Sequence, residues 1–368
     1  MTQLIKESSN KVRVESHEVI KDRLGSLGHI CLNRPKALNS LTLDMVRSIE
    51  SALDEFLADR NVAAILLTGA GERGLCAGGD IRALYDSGRS DGALAKEFWR
   101  EEYVLNERIC RYPKAYIAIM DGITMGGGVG LSAHGSHRIV TERTRLAMPE
   151  TGIGFFPDIG ASWLLTRTSG EFGTFVALTG RELGAADAIN AGLADYYVPS
   201  SDLAALCVEL SMVSLAGAPD QVISIIERFK RRAPESDLMS HRALIDRTFG
   251  FDRIEEILEA LALESDSFAE GVRAALLSKS PTSLKVTLRL LRLGRQTLQL
   301  RSCLEREFTA TGAVLKSWDF YEGVRAAVID KDRDPKWKPP SIESVSEKAL
   351  AEFFVSSAPS LFPRAHRR

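Results

Sequence analysis

The stretch AYIAIMDGITMGGGVGLSAHG, residues 115–135, decides how this chain is read. Its first part, AYIAIMDG, is a continuous apolar run, the pattern of a strand buried on both faces. Its second part, ITMGGGVGLSAHG, holds four glycines in the five positions Gly126–Gly130. Each glycine in an ordered element costs about 0.5–1 kcal/mol against alanine, so the cluster needs a reason. Backbone N–H groups uncovered by side chains can point at a ligand oxygen. Two of them converging on one point form an oxyanion hole, where each donor contributes about 2.7–4 kcal/mol. Close packing of a helix on its neighbour explains the same glycines equally well.

The motif recurs upstream. VAAILLTG (62–69) is a second buried run, and it leads into another glycine-rich turn, AGERGLCAGGD (70–80). GHICLN (28–33), KVRVES (11–16), HRIVTE (137–142) and RLAMPE (145–150) also read as strands. Between them, LDMVRSIESALDEFL (43–57) places Met45, Ile49, Ala52, Leu53 and Phe56 on one face, with Thr42 as N-cap. Strand–helix–strand order with buried strands predicts an α/β layer architecture. Beyond about residue 220 the texture turns helical, as in QVISIIERFKRR, RIEEILEALALE and SLKVTLRLLRLGRQTLQLRSCLEREF, and Ser280-Pro281 marks a helix start. The chain therefore divides into a core over 1–220 and a largely helical region over 221–368. The end after about 356 is expected to fray.

Composition narrows the function. The chain has 368 residues with 47 basic and 49 acidic side chains, a net charge of −2. That balance leaves no electrostatic footprint for nucleic acid. The five cysteines, Cys31, Cys76, Cys110, Cys207 and Cys303, are scattered without a CxxC, so they read as reduced thiols. The histidines show no ligand spacing, and no metal site is expected; His134 and His137 come closest. No apolar run is long enough to span a membrane. The start of the chain lacks an apolar signal core, and the ending AHRR is not a peroxisomal address. A soluble cytoplasmic enzyme or binding protein is the expectation. No G-x-x-x-x-G-K-[ST], G-x-G-x-x-G or G-x-S-x-G occurs at the glycine turns, which sets aside nucleotide-binding loops and the nucleophile elbow.

Two acids lie in AMPETGIGFFPDIG (147–160), a segment broken by Pro149, Gly152, Gly154 and Pro157. Irregular chain between Glu150 and Asp158 can fold back and set both around one pocket. Among Met148, Phe155 and Phe156 they would be partly desolvated, with pKa values raised towards proton transfer. The plainer alternatives are a helix cap for Asp158, which precedes IGASWLLTR, and a turn acid for Glu150.

NRPKALNSL (33–41), GLCAGGDIRAL (74–84), ITMGGGVGLSAHG and AMPETGIGFFPDIGASWLL occur together, in this order and spacing. With them the chain resembles the enoyl-CoA hydratase/isomerase, or crotonase, superfamily, over roughly residues 12–355. REEYVLN (100–106), SPTSLK (280–285) and FYEGVRAAVIDKDRDPKWKP (320–339) are typical of a thioester-hydrolase branch within it. The resemblance implies an α/β fold built as a spiral of ββα units with a helical C-terminal part. It implies acyl-CoA substrates and no separate cofactor, CoA being part of the substrate. It leaves a homo-oligomer open, since relatives form trimers or pairs of trimers and some hydrolases do not.

Carried over by position, the resemblance assigns the oxyanion donors to the N–H groups of Gly79 and Gly127, and catalysis to Glu150 and Asp158. Glu102 would line the acyl pocket. Lys36, Ala37 and Leu38, in a loop beside the CoA moiety, and Ala77 and Gly126, beside the donors, complete the substrate-binding set. A hydratase carries a glutamate where this chain has Gly130, and a glycine where it has Asp158. The pair of acids that adds water across a C2=C3 bond is thus broken. The expected reaction is hydrolysis of the thioester of 3-hydroxyisobutyryl-CoA, a step of valine breakdown. Rival readings are a hydratase or isomerase, hydrolysis of 3-hydroxypropionyl-CoA, and a catalytically silent acyl-CoA-binding protein.

Overall fold

The structure, a computed structural model, describes residues 17–215, 218–356 and 359–362. Its described strands form two sheets. The larger holds β1 (Val19–Leu24), β2 (Leu27–Leu32), β3 (Ala64–Gly69), β5 (Ala115–Met120), β7 (His137–Val140) and β9 (Tyr196–Tyr197), in that spatial order. The smaller holds β4 (Gly74–Cys76), β6 (Ile123–Met125) and β8 (Arg145–Ala147). Only the β1–β2 pair is antiparallel. Consecutive pairs β3–β4, β5–β6 and β7–β8 each give one strand to each sheet, so the chain winds as a spiral. The fold class is the α/β spiral expected.

The buried runs behave as their composition requires. β3 and β5 are apolar along their length because both sheet faces are covered. On the inner side pack α1 (Leu43–Ala58), α2 (Ile81–Gly88), α3 (Ala93–Cys110) and α4 (Gly127–Ala133). Thr42 caps α1, its hydroxyl accepting from Met45 N at 3.2 Å. On the outer side Leu27, Leu66 and Ile117 meet Leu206, Leu210, Val222 and Ile226, from helices Leu203–Ser211 and Ala218–Phe229.

Several details depart from the sequence reading. KVRVES (11–16) lies outside the described residues. The first described strand is β1, whose exposed Lys21, Asp22 and Arg23 hide it from a hydropathy pattern. The long run from Ser283 to Phe308 is two helices, Pro281–Arg295 and Leu300–Val314. Ser280 caps the first of them, accepting from Ser283 N at 3.0 Å. The end of the chain does not fray throughout. Leu361 is buried, Arg100 Nη2 donates to Pro359 O at 2.9 Å, and Phe362 N donates to Glu305 Oε1 at 3.0 Å.

Candidate active site

Three adjacent parallel strands of the small sheet end side by side, and each feeds one part of the site. β4 leads to Gly79, β6 leads to Gly126 and Gly127, and β8 leads to Glu150. Ligands of parallel sheets commonly sit outside the carboxyl ends of strands. Here the two glycine turns meet. A Cβ on Gly127 would lie 3.4 Å from Gly79 N, and one on Gly78 would lie 3.6 Å from Gly127 N. Gly127 is the first residue of α4, where a helix leaves its N–H groups without intrahelical partners. Gly78, at φ 103°, makes the first turn, and Gly126, at φ 47°, makes the second. Close approach is also required: a side chain on Gly127 would collide with Glu102 Oε1. The packing explanation of the glycines therefore holds, and the same close approach sets the N–H groups of Gly79 and Gly127 beside each other.

A cavity of about 120 Å³ opens at this point. Ala77, Gly79, Gly126, Gly127, Glu102, Glu150 and Asp158 all line it, with an apolar wall from Leu84, Phe98, Trp99 and Phe155. Trp99 and Phe155 are stacked with centroids 5.5 Å apart. The three acids are 2% (Glu102), 6% (Glu150) and 5% (Asp158) exposed. Glu102 Oε1 and Glu150 Oε2 are buried with no hydrogen-bond partner among the described residues. A Cβ on Gly126 would come within 3.0 Å of Glu150 Oε1, so that carboxyl flanks the glycine turn. Asp158 Oδ2 accepts from the Tyr103 hydroxyl at 2.6 Å.

Desolvation governs the charges. Burial lifts Glu150 well above the carboxylate range, and the charge of Asp158 adds to the rise. Glu102 is raised well above that range by burial, then by Asp158 and Glu150. Burial pushes Asp158 up to about 7, against the lowering effect of the Tyr103 bond. Burial thus raises all three carboxyl groups of the cavity, a setting that suits acid–base chemistry.

The cap alternative for Asp158 is decided by the geometry. The helix Ala161–Leu164 begins after Gly160, and its free N–H groups are taken by Glu307. Glu307 Oε2 accepts from Gly160 N at 2.6 Å, and Oε1 accepts from Ser162 N at 3.0 Å. The Asp158 side chain faces Tyr103 instead. Gly130, where a hydratase has its acid, has no free volume. A Cβ there would lie 2.9 Å from Asn106 Nδ2 and 3.0 Å from Ile159 Cβ.

The loop over 34–38 is placed at the edge of the site. Ala77 N donates to Leu38 O at 3.0 Å, which ties the loop to the first glycine turn. Leu38 is half-buried and Lys36 and Ala37 are exposed, and none of the three lines the cavity. Lys36 and Ala37 thus join the site only if a ligand extends out to them. Sequence reasoning missed Tyr103, Asn106 and Glu307. A signal existed for the last. Leu300, Cys303, Leu304, Glu307, Phe308 and Thr311 form the buried face of one helix, and an acid among them calls for a reason.

A family model described as enoyl-CoA hydratase/isomerase matches residues 27–354. The chain belongs to the enoyl-CoA hydratase/isomerase family. Among curated members, "3-hydroxyisobutyryl-CoA hydrolase, mitochondrial" of Danio rerio is 42% identical over 343 residues, covering 92% of this chain and 90% of that protein. The protein of the same name from Homo sapiens is 40% identical over 346 residues, covering 93% and 89%. Among solved structures, a carnitinyl-CoA dehydratase from Mycobacterium thermoresistibile superposes with a TM-score of 0.88 at 41% identity, covering 94% of this chain and 98% of that one. An enoyl-CoA hydratase from Rhodobacter sphaeroides follows with a TM-score of 0.82 at 37% identity, covering 93% and 98%. The curated relatives bear mitochondrial names, which does not support a cytoplasmic location. Among the described residues no helix is long and apolar enough to cross a membrane.

Proposed function

We propose that this chain hydrolyses the thioester of 3-hydroxyisobutyryl-CoA, giving 3-hydroxyisobutyrate and CoA. The observation that carries the reading is the exchange of acids around the cavity. Gly130 is packed against Asn106 and Ile159, while Asp158 joins Glu150 and Glu102 inside. The names of the curated relatives support the same reaction.

In this reading the thioester oxygen sits between the N–H groups of Gly79 and Gly127, which carry the developing oxyanion. Glu150 works as a carboxylate in one of two ways. It attacks the carbonyl carbon to give an enzyme-bound anhydride that water then opens, or it takes a proton from the attacking water. Either way the C–S bond breaks, the carbonyl carbon gains an oxygen from water, and CoA leaves as the thiol. Asp158 orients the substrate hydroxyl or the water and passes protons. Glu102 bonds the 3-hydroxyl or holds Glu150. Lys36, Ala37 and Leu38 lie where the CoA moiety would leave the cavity. One methyl group separates this substrate from 3-hydroxypropionyl-CoA, a difference of only about 1–3 kcal/mol in an apolar pocket. Such a reaction would serve valine breakdown. The unpaired cysteines fit a reducing compartment, the cytoplasm among them.

Hydration or dehydration is the second reading, favoured by the names of the two similar solved proteins. One paired assay separates them: CoA release from 3-hydroxyisobutyryl-CoA, beside loss of the conjugated double bond of crotonyl-CoA. Fast thiol release without hydration supports the hydrolase. Hydration without thiol release overturns it.

A further inference from the structure

Glu307 is fully buried on the helix Leu300–Val314, about halfway along it. It accepts from three donors of one turn: Gly160 N at 2.6 Å, Ser162 N at 3.0 Å and Ser162 Oγ at 2.5 Å. That turn directly follows Asp158, and Ala161 N closes it onto Asp158 O at 2.8 Å. Between them stands Ile159 at φ 55°. A β-branched residue in the left-handed region is a strained conformation that persists only when its surroundings over-determine it. The surroundings here are Glu307 on one side and His134 on the other. His134 Nε2 donates to Ile159 O at 2.7 Å. The neighbour of Glu307, Phe308, packs edge-on against Tyr103, the residue that bonds Asp158 Oδ2.

A buried carboxylate is a costly way to cap a single helical turn, because an exposed serine or aspartate does it without desolvating a charge. What the buried acid adds is a fixed anchor from a distant part of the chain. We propose that Glu307 is a positioning residue for Asp158: its carboxylate fixes the Gly160–Ser162 turn and thereby aims the Asp158 side chain into the cavity. The proposal rests on the catalytic reading of Asp158 given above.

The test is a double-mutant cycle in the thioester-hydrolysis assay, with Glu307→Gln, Asp158→Asn and the pair. Glutamine keeps the volume but turns an NH2 towards one of the two N–H groups. Loss of aim costs kcat roughly 10- to 100-fold, with KM moved less than about threefold, because small misplacements of reacting groups are expensive. In the Asp158→Asn background the same change costs less than about threefold, since there is no aim left to lose. Equal losses in both backgrounds overturn the proposal. A wild-type rate for Asp158→Asn alone removes the catalytic reading of Asp158 and the proposal with it. A slow Asp158→Asn with additive loss removes the proposal only.

A second readout is the pH profile. The groups facing Glu307 are Asp158 and Tyr103 across the site, His134 beside the Gly160 turn, and Cys303 on its own helix. Removing the Glu307 charge moves the profile of kcat/KM to lower pH, which a purely structural defect does not do. If Glu307→Gln does not fold, Ser162→Ala removes one of the three donors and keeps the acid. It should cost about 2- to 10-fold in kcat, again only while Asp158 is present. A loss that is the same without Asp158 overturns the proposal by that route.

Discussion

The Tyr103 hydroxyl lies 2.6 Å from Asp158 Oδ2, and both residues are buried. This bond favours the ionised form of an acid that burial, even against it, pushes up to about 7. Tyr103→Phe removes it. Hydrogen bonds to charged groups contribute about 1.5–3 kcal/mol, so kcat should fall roughly 10- to 100-fold. The pH profile of kcat/KM should move to higher pH, because Asp158 then holds its proton longer. Steady-state kinetics across pH 5–9 read both effects, and an unmoved profile would count against a role for the bond in setting the charge.

Glu150→Gln should abolish turnover and leave binding of the acyl-CoA ester largely intact, read by a thiol-release assay and by calorimetry. It should also change how stability responds to pH. Glu150 has a folded pKa raised above its unfolded value. Between the two values the folded state binds the extra proton, so the group's contribution to stability falls as pH rises. The variant lacks that loss. Its stability relative to wild type should therefore grow with pH from about 5 upward, by no more than about 1.4 kcal/mol per pH unit. The buried histidines His29, His134 and His137, which are shifted downward by burial, act in the opposite direction but cancel in the difference.

Gly127→Ala keeps the backbone N–H yet places a methyl group against Glu102 Oε1 and 3.0 Å from Leu41 Cδ1. Turnover should drop at least about 100-fold, as for a displaced oxyanion donor. The melting temperature reports how much of the loss is packing. An alanine variant with normal turnover would mean that the two glycine turns do not need to meet so closely.

Gly130→Glu places an acid where a hydratase has one, but this site has no room for it. Asn106 and Ile159 must shift, and overpacking of this kind costs about 1–3 kcal/mol. Hydration of crotonyl-CoA should stay absent and the melting temperature should fall. Appearance of hydratase activity would show that this one position controls the choice of reaction.

The spiral core was legible because its signals are local. AILLTG and AYIAIM are largely apolar, and each leads into glycines that a turn at positive φ needs. Glu150 and Asp158 could be suspected because irregular chain with prolines and glycines brings two acids near one another. Glu102 sits in a charged helix, ALAKEFWREEYVLNERIC, yet it falls on the apolar stripe of Ala95, Phe98, Leu105 and Ile109, the same signal that an acid on a buried face gives at Glu307. What Tyr103 and Glu307 hold was not legible. Each acts through a contact with a segment far away in sequence, and a pattern within one window carries no information about such a partner. Lys36 shows the converse: its charge and loop context stand out in the sequence, and the fold leaves it on the surface.

The C-terminal helices hold both acid-bearing turns. Ser280 N donates to Thr151 O at 3.1 Å beside Glu150, and Gly154 packs directly on the backbone of Asp319. Glu307 grips the turn after Asp158 across a sequence separation of 147. A ribosome adding about 5–20 residues per second needs roughly 7–30 s to cover that distance. Throughout that interval both acids are already synthesised while Glu307 is not. In the reading proposed above, a chain cut short between Asp158 and Glu307 keeps its acids but lacks the contact that aims Asp158.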